Sequence, residues 1–352
     1  AVGAPPSNMD EVINVLESVK HAAEGAEATV RKAYEKAEEA TKVLEEAVKA
    51  VTTARSEAED LKNIVEAVVD FKSTNAVQPK AQKTMSTSTA ANGRLIEAEG
   101  LSEDTAKAAQ GAFDVMRKIT GNVKKAMRLL GGSVPQQVQV LLELAETSQA
   151  GFADAASNAA SSSLEASNAQ ISAKNINVHA EQAMDEAEKI KKSGGDNSAR
   201  RGQTDIYKEN VKDYGQLAAA HGKEAVDGAE AAAGNATTAF ENTKKAVEAF
   251  RQILDAAKNA VTAADEVLKQ NATEDAPSFI SEGGSDSPLQ QNEKAPLTDD
   301  SQTAAGADGL STTESTEATA TSVEHTGETS SPASGTPESP LLPSSSAVSA
   351  AM

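Results

Sequence analysis

The chain has 352 residues, of which 39 % are hydrophobic but only 3 % aromatic, with no Trp and no Cys, so alanine supplies most of its apolar surface. Alanine buries little area and is the best helix former, which argues against a large spherical core and for a long, thin helical assembly. The lack of Cys excludes thiol catalysis and disulfide scaffolding. A formal net charge of −20 argues against nucleic acid as a partner and against adsorption to anionic membrane, and no run of about 18 apolar residues is present to span a bilayer.

In chain order, residues 1–8 read as an N-terminal extension that starts AVGAPPSN without an initiator Met, as signal-peptide removal or trimming leaves behind. A first long helix is expected over 9–73. From Val12, steps of four and three residues land on Leu16, Val19, Ala23, Ala26 and so on to Leu61, Val65 and Val68 without meeting a polar side chain. That repeat of 3.5 residues predicts a left-handed coiled-coil seam. Residues 75–133 read as a connector: a loop over Asn75–Leu101 that contains Pro79, then a shorter helix at about Glu103–Leu130. A second long helix is expected over 134–192, with Ser133 as N-cap, a seam from Val138 to Ile190, and Gly194 and Gly195 as its stop. A third is expected over 204–270. Its seam runs through Tyr207, Val211, Tyr214, Ala218 and His221 and then Phe240, Thr243, Val247, Phe250 and Leu254, with a phase change near Gly222–Gly228. The predicted fold is all-α: an elongated antiparallel three-helix bundle over 9–274, with a short extra helix at one end.

From 275 to 352 the composition changes. Twelve Asp/Glu stand against one Lys, giving −11, and seven of the eleven prolines lie here among many Ser and Thr. Such a segment buries too little surface to order itself and is expected to be disordered. Ser/Thr/Pro-rich segments of this kind are typical of cell-surface stalks, and the small residues over 344–351 suit attachment of a glycolipid (GPI) anchor. A plain disordered terminus of an intracellular protein is the other reading.

A Cys-free alanine-rich helical region, a chain without an initiator Met and an acidic Ser/Thr/Pro stalk together resemble the alanine-rich surface proteins of African trypanosomes, the metacyclic invariant surface proteins and their epimastigote alanine-rich relatives. The resemblance rests on architecture and composition over the whole chain, with no short diagnostic motif. It implies a GPI-anchored triple-helical bundle held above the coat on a flexible stalk, with secretory routing and a host or vector ligand as the partner class. That family has no established enzymatic role, so the resemblance carries over no functional residue. Three long antiparallel helices put the start of the first helix and the turn at 194–201 at one end, facing outward. The exit near Gln270 is then at the other end, with membrane contact only through the lipid anchor.

On that topology Tyr34, Tyr207, Tyr214, His21, His179 and His221 gather toward the outward end, either as a ligand patch with aromatic anchors or as bulky filler where helices splay. His179 and His221 are not expected to be level across the turn. Arg200 and Arg201 stand in that turn, as anion contacts or as solvated loop charges. Arg117, Lys118, Lys124, Lys125 and Arg128 oppose a single Asp114 between Gln110 and Gly132; they form either a patch for the acidic tail or a solvated basic face. Asn235 and Asn271 head Asn-X-Thr triplets open to N-glycosylation in a secreted protein. No phosphate loop, dinucleotide fingerprint, zinc spacing or nucleophile elbow is present, so no catalytic residue, cofactor or metal is expected. Competing readings are an intracellular coiled-coil scaffold and a protective protein of the late-embryogenesis-abundant kind. The latter is disfavoured because such chains show 11-residue repeats.

Overall fold

The computed structural model describes residues 9–132, 134–193 and 201–274. The expected extension 1–8, the N-cap Ser133, the stop at Gly194 and Gly195, and the stalk 275–352 lie outside the described residues. Four long helices make up the described chain: α1 (Met9–Glu66), α2 (Val77–Leu130), α3 (Gln136–Ser193) and α4 (Arg201–Glu274). A 3₁₀ turn, Ser73–Ala76, leads into α2. At 1.5 Å per residue these helices are about 80–110 Å long.

The expected three-helix count is corrected to four. Residues 77–130 form one continuous helix of 54 residues where a loop and a short helix were expected. Pro79 is the third residue of α2, a position whose backbone N–H has no intrahelical acceptor, so the ring costs the helix nothing there. The stretch TMSTSTAANG reads as a loop by composition, yet it holds the same repeat. Val77, Ala81, Thr84, Ser88, Ala91, Leu95, Ala98, Ser102, Thr105 and Ala109 alternate steps of four and three, and all are buried. Four of these ten are hydroxyl residues, which hid the period.

Each helix packs along two neighbours: α1 on α2 and α4, and α3 on α2 and α4, while the diagonal pairs barely meet. This is an up-down-up-down four-helix bundle. One end gathers Met9, Leu16, Leu130, Val138 and Ala264 in a single core cluster; the other gathers Leu61, Val65, Val77, Ile190 and Val211. The first helix therefore starts at the end where the last one finishes. At the opposite end α1 finishes and α2 begins, and α3 finishes and α4 begins.

All seventeen seam residues from Val12 to Val68 are buried. In α4 the expected phase change does not occur. One phase runs from Val211 through Gly215, Ala218, Gly222, Ala225, Ala229 and Ala232 to Ala264, every residue buried. Tyr207, Tyr214, His221, Phe240 and Leu254 flank that line and are only partly covered. Val211, Ala218, Thr243 and Phe250 of the expected seam lie on that line, while glycines and alanines fill most of its other places. Small residues let helix backbones approach: a Cβ at Gly222 would lie 3.1 Å from the Arg55 Cα of α1.

Close approach lets hydroxyls tie helix to helix. The Ser162 hydroxyl donates to the Ala232 carbonyl at 2.8 Å and shares a hydrogen bond with Ser102 at 3.1 Å. Ser148 donates to the Ala246 carbonyl at 2.9 Å, Thr105 to the Lys36 carbonyl at 2.9 Å, and Ser88 to the Ala173 carbonyl. Each bond satisfies a buried hydroxyl and fixes the register of one pair.

Gly222→Val overfills the α1–α4 approach and is expected to destabilise the bundle by about 1–3 kcal/mol. Gly25→Ala fills open space on an exposed helix face and is expected to stabilise it by about 0.5–1 kcal/mol. Urea unfolding of the two variants checks the pair, and equal midpoints would contradict the seam assignment.

Candidate functional site

The residues expected to form one distal patch fall into two places. His21 and Tyr34 are in the half of α1 nearest the bundle end where α1 starts; Tyr207, Tyr214, His179 and His221 are toward the opposite end. With four helices rather than three, α1 and α4 start at opposite ends, so these residues do not form a single patch. Arg200 lies outside the described residues, and Arg201 is the first residue of α4.

His179 and His221 do meet, contrary to expectation. Their rings stack with centroids 5.3 Å apart and planes 4° from parallel, and Tyr214 stacks on His179 at 6.1 Å. Their Cα atoms are about one turn out of level. On antiparallel helices each side chain leans toward its own N-terminus, so these two lean toward one another. Nδ1 of His179 is 2.9 Å from the Gln182 Oε1, and Nδ1 of His221 is 2.7 Å from the Glu224 carboxylate. The stack is half-buried. No group of three metal-ligating side chains occurs among the described residues.

Tyr34 packs on Phe240 at 5.3 Å, at one end of a half-open trough of about 420 Å³ between α1 and α4. Phe250 holds a seam position among the alanines and lines the trough. Val30, Val247 and Leu254 line the trough, with Glu27, Arg31 and Arg251 at its rim.

Arg117, Lys118, Lys124, Lys125 and Arg128 of α2 are all exposed. Lys124 reaches Glu146 of α3 at 2.7 Å and Lys125 reaches Glu11 of α1 at 2.9 Å. Arg117 lies over the Phe113 ring at 5.8 Å and 3.5 Å from Asp114. Lys124 and Lys125 therefore pair on the bundle surface, one with each neighbour of α2. Asn235 is partly covered in mid-α4, with Ala236 buried beside it, while Asn271 belongs to the last turn of α4.

The turn between α1 and α2 carries apolar residues that sequence reasoning passed over. Val69 is 71 % exposed and Phe71 45 % exposed. Their signal was legible: both follow Val68, the last seam residue, so no seam position remains for them. The turn is braced. The Asp70 carboxylate accepts from the backbone N–H groups of Ser73 at 2.8 Å and Lys72 at 3.1 Å, and the Ser73 hydroxyl accepts from the Val69 N–H at 3.1 Å. The Ser73 hydrogen bonds, with that from Lys72, hold the Asp70 carboxyl below the usual carboxylate range. A hollow of about 340 Å³ beside the turn is lined by Asn75, Gln78, Met184, Glu188, Lys191 and Lys192.

One turn into α2, Lys80 bonds both Glu57 and Asp60 of α1 at 2.6 Å, and Lys83 reaches Glu57 at 2.8 Å. The hydrogen bonds from Lys80 and then Lys83 hold the buried Glu57 carboxyl below its ordinary range. Burial works against the Lys80 ammonium, but its bonds to Asp60 and Glu57 outweigh that and raise it.

No protein-family model matches the chain, and a search of curated proteins finds no similar sequence. Among solved structures it is similar to the SmhB pore of the tripartite alpha-pore forming toxin Smh from Serratia marcescens. The match has 12 % identity and a TM-score of 0.21, over 76 % of this chain and 87 % of that one; at that score it carries no inference about function.

Lys80→Met is expected to lower the melting temperature most at neutral pH. The lowered Glu57 contributes stability above its unfolded pKa that is lost as pH falls through its folded value; the raised Lys80 contributes stability below its unfolded pKa that is lost as pH rises through its folded value. The gap between wild type and variant therefore closes in acid and in strong alkali. Thermal melts across pH check this, and a pH-independent gap would contradict the ion-pair account.

Proposed function

We propose that the chain is a non-enzymatic, GPI-anchored cell-surface protein that presents the helical bundle on its acidic Ser/Thr/Pro-rich segment, for contact with a host or vector ligand or as a coat component. The observation that carries this reading is the change of composition near residue 275. A helical region built on alanine seams gives way to 78 residues with a net −11 and most of the prolines, a composition suited to a stalk. The resemblance to trypanosome alanine-rich surface proteins supports the same reading.

Four helices change what such a protein displays. α1 begins and α4 finishes at one end, so a stalk running from α4 to a membrane keeps that end proximal. The α1–α2 turn, with Val69, Phe71 and the hollow beside Asn75, is then the outward tip. Exposed apolar side chains on a braced turn suit a protein ligand better than a small molecule.

Treating intact cells that express the protein with phosphatidylinositol-specific phospholipase C is expected to release it into the supernatant. Retention inside the cell, inaccessible to surface labelling, would overturn the reading in favour of an intracellular scaffold.

A further inference from the structure

The trough between α1 and α4 holds chemistry that the bundle itself does not use. On one side α4 turns Val247, Phe250 and Leu254 toward a space of about 420 Å³, and on the other α1 meets it with Glu24, Glu27 and Arg31. Those three are exposed and keep their charged ends in water, so they do not cover the apolar floor opposite them. Tyr34, packed on Phe240 at 5.3 Å, supplies an aromatic wall. An apolar and aromatic floor with a few charges around it is the make-up of a small-molecule site, and the volume lies near the small end of the usual range of about 300–1,000 Å³.

The rim charges narrow the ligand. Two of the four are engaged on their own helix: the Glu24 carboxylate lies 3.1 Å from Nδ1 of His21, and Nε of Arg31 lies 3.7 Å from the Glu35 carboxylate. The other two are Glu27 on α1 and Arg251 on α4. Gly222 of α4 stands against Arg55 of α1. Glu27 is 28 residues before Arg55, and Arg251 is 29 residues after Gly222, so on antiparallel helices they are level, one on each wall. Among the described residues neither has a hydrogen-bond or ion-pair partner. One carboxylate and one guanidinium thus border a common space without pairing across it.

We propose that this trough binds a free α-amino acid with a large apolar side chain. The ligand carboxylate accepts from the Arg251 guanidinium, its ammonium donates to the Glu27 carboxylate, and its side chain lies on Val247, Phe250 and Leu254 beside Tyr34. A purely anionic amphiphile would bring its charge to Glu27 as well as to Arg251, and an amine would bring its charge to Arg251. Only a zwitterion meets both rim charges with the opposite sign. The trough is half-open and its charges are solvated, so the affinity is modest, with dissociation at about 0.1–1 mM. The inference concerns the bundle alone and does not depend on attachment to a membrane.

Calorimetric titration of the full chain with L-phenylalanine tests it, against two analogues that keep the ring. One is 3-phenylpropanoate, which lacks the ammonium; the other is phenethylamine, which lacks the carboxylate. Wild type is expected to bind L-phenylalanine saturably and each analogue about tenfold more weakly, the magnitude of one charge-assisted contact. Glu27→Gln is expected to bind 3-phenylpropanoate as well as L-phenylalanine, and Arg251→Gln to bind phenethylamine as well as L-phenylalanine, both with the wild-type melting temperature. Leu254→Trp, which fills the trough from a half-buried position, is expected to abolish binding of all three. L-phenylalanine that shows no saturation by about 10 mM would overturn the proposal. So would analogues that bind wild type as well as L-phenylalanine does, the behaviour of a plain apolar crevice, or a preference that survives both rim substitutions.

Discussion

Alanine and glycine along the facing edges of four helices set the distance between backbones, and the rest of the bundle depends on that distance. Where Gly222 meets Arg55 or Ser162 meets Ala232, the next helix is close enough for a hydroxyl to reach its carbonyl oxygen. Leucine at those positions would push the helices apart and leave the serines and threonines of the seam without partners. Small size and buried hydroxyls are therefore one design, since each makes the other tolerable. It also explains how so long a bundle holds one register with few aromatic anchors. Carbonyl-directed hydrogen bonds occur between α1 and α2, α2 and α3, and α3 and α4, so a slip along any of these pairs breaks a buried bond.

The rule that small residues lie deepest inverts the usual reading of a helical sequence. In α1, where valine and leucine alternate with alanine, the seam is legible to the last residue, and every member is buried. In α2 the same spacing is present, but Thr84, Ser88, Ser102 and Thr105 fill it, and a polar residue in a seam reads as a loop until its acceptor across the interface is seen. In α4 the large side chains drew attention to the flank while Gly215 and Gly222 held the line. The all-helical class was legible in the sequence. The fourth helix was not, because its evidence is a hydrogen bond to another helix.

The helix count decides which surface residues share an end. Counting three helices joined Tyr34 and His21 to the residues near the 194–201 turn; counting four separates them by much of the length of the bundle. The stack of His179 on His221 is not legible in the sequence, because residue numbers give the level of a Cα and not the lean of a side chain. The braced turn with Val69 and Phe71, by contrast, was readable as apolar residues left over where the heptad ended. Of the basic residues of α2, the sequence reported the charge correctly but not its use, since Glu146 and Glu11, the partners of Lys124 and Lys125, come from other helices.

The central claim is the up-down-up-down arrangement, and the absence of Cys makes it directly measurable. Ser18 of α1 and Asn259 of α4 are both exposed and lie near the same end of the bundle. Spin labels on Ser18→Cys and Asn259→Cys are expected to lie roughly 20–30 Å apart, the span of two neighbouring helices with their labels. If residues 75–133 were only a connector between three long helices, these positions would sit near opposite ends. A measured separation above about 70 Å would contradict the four-helix account.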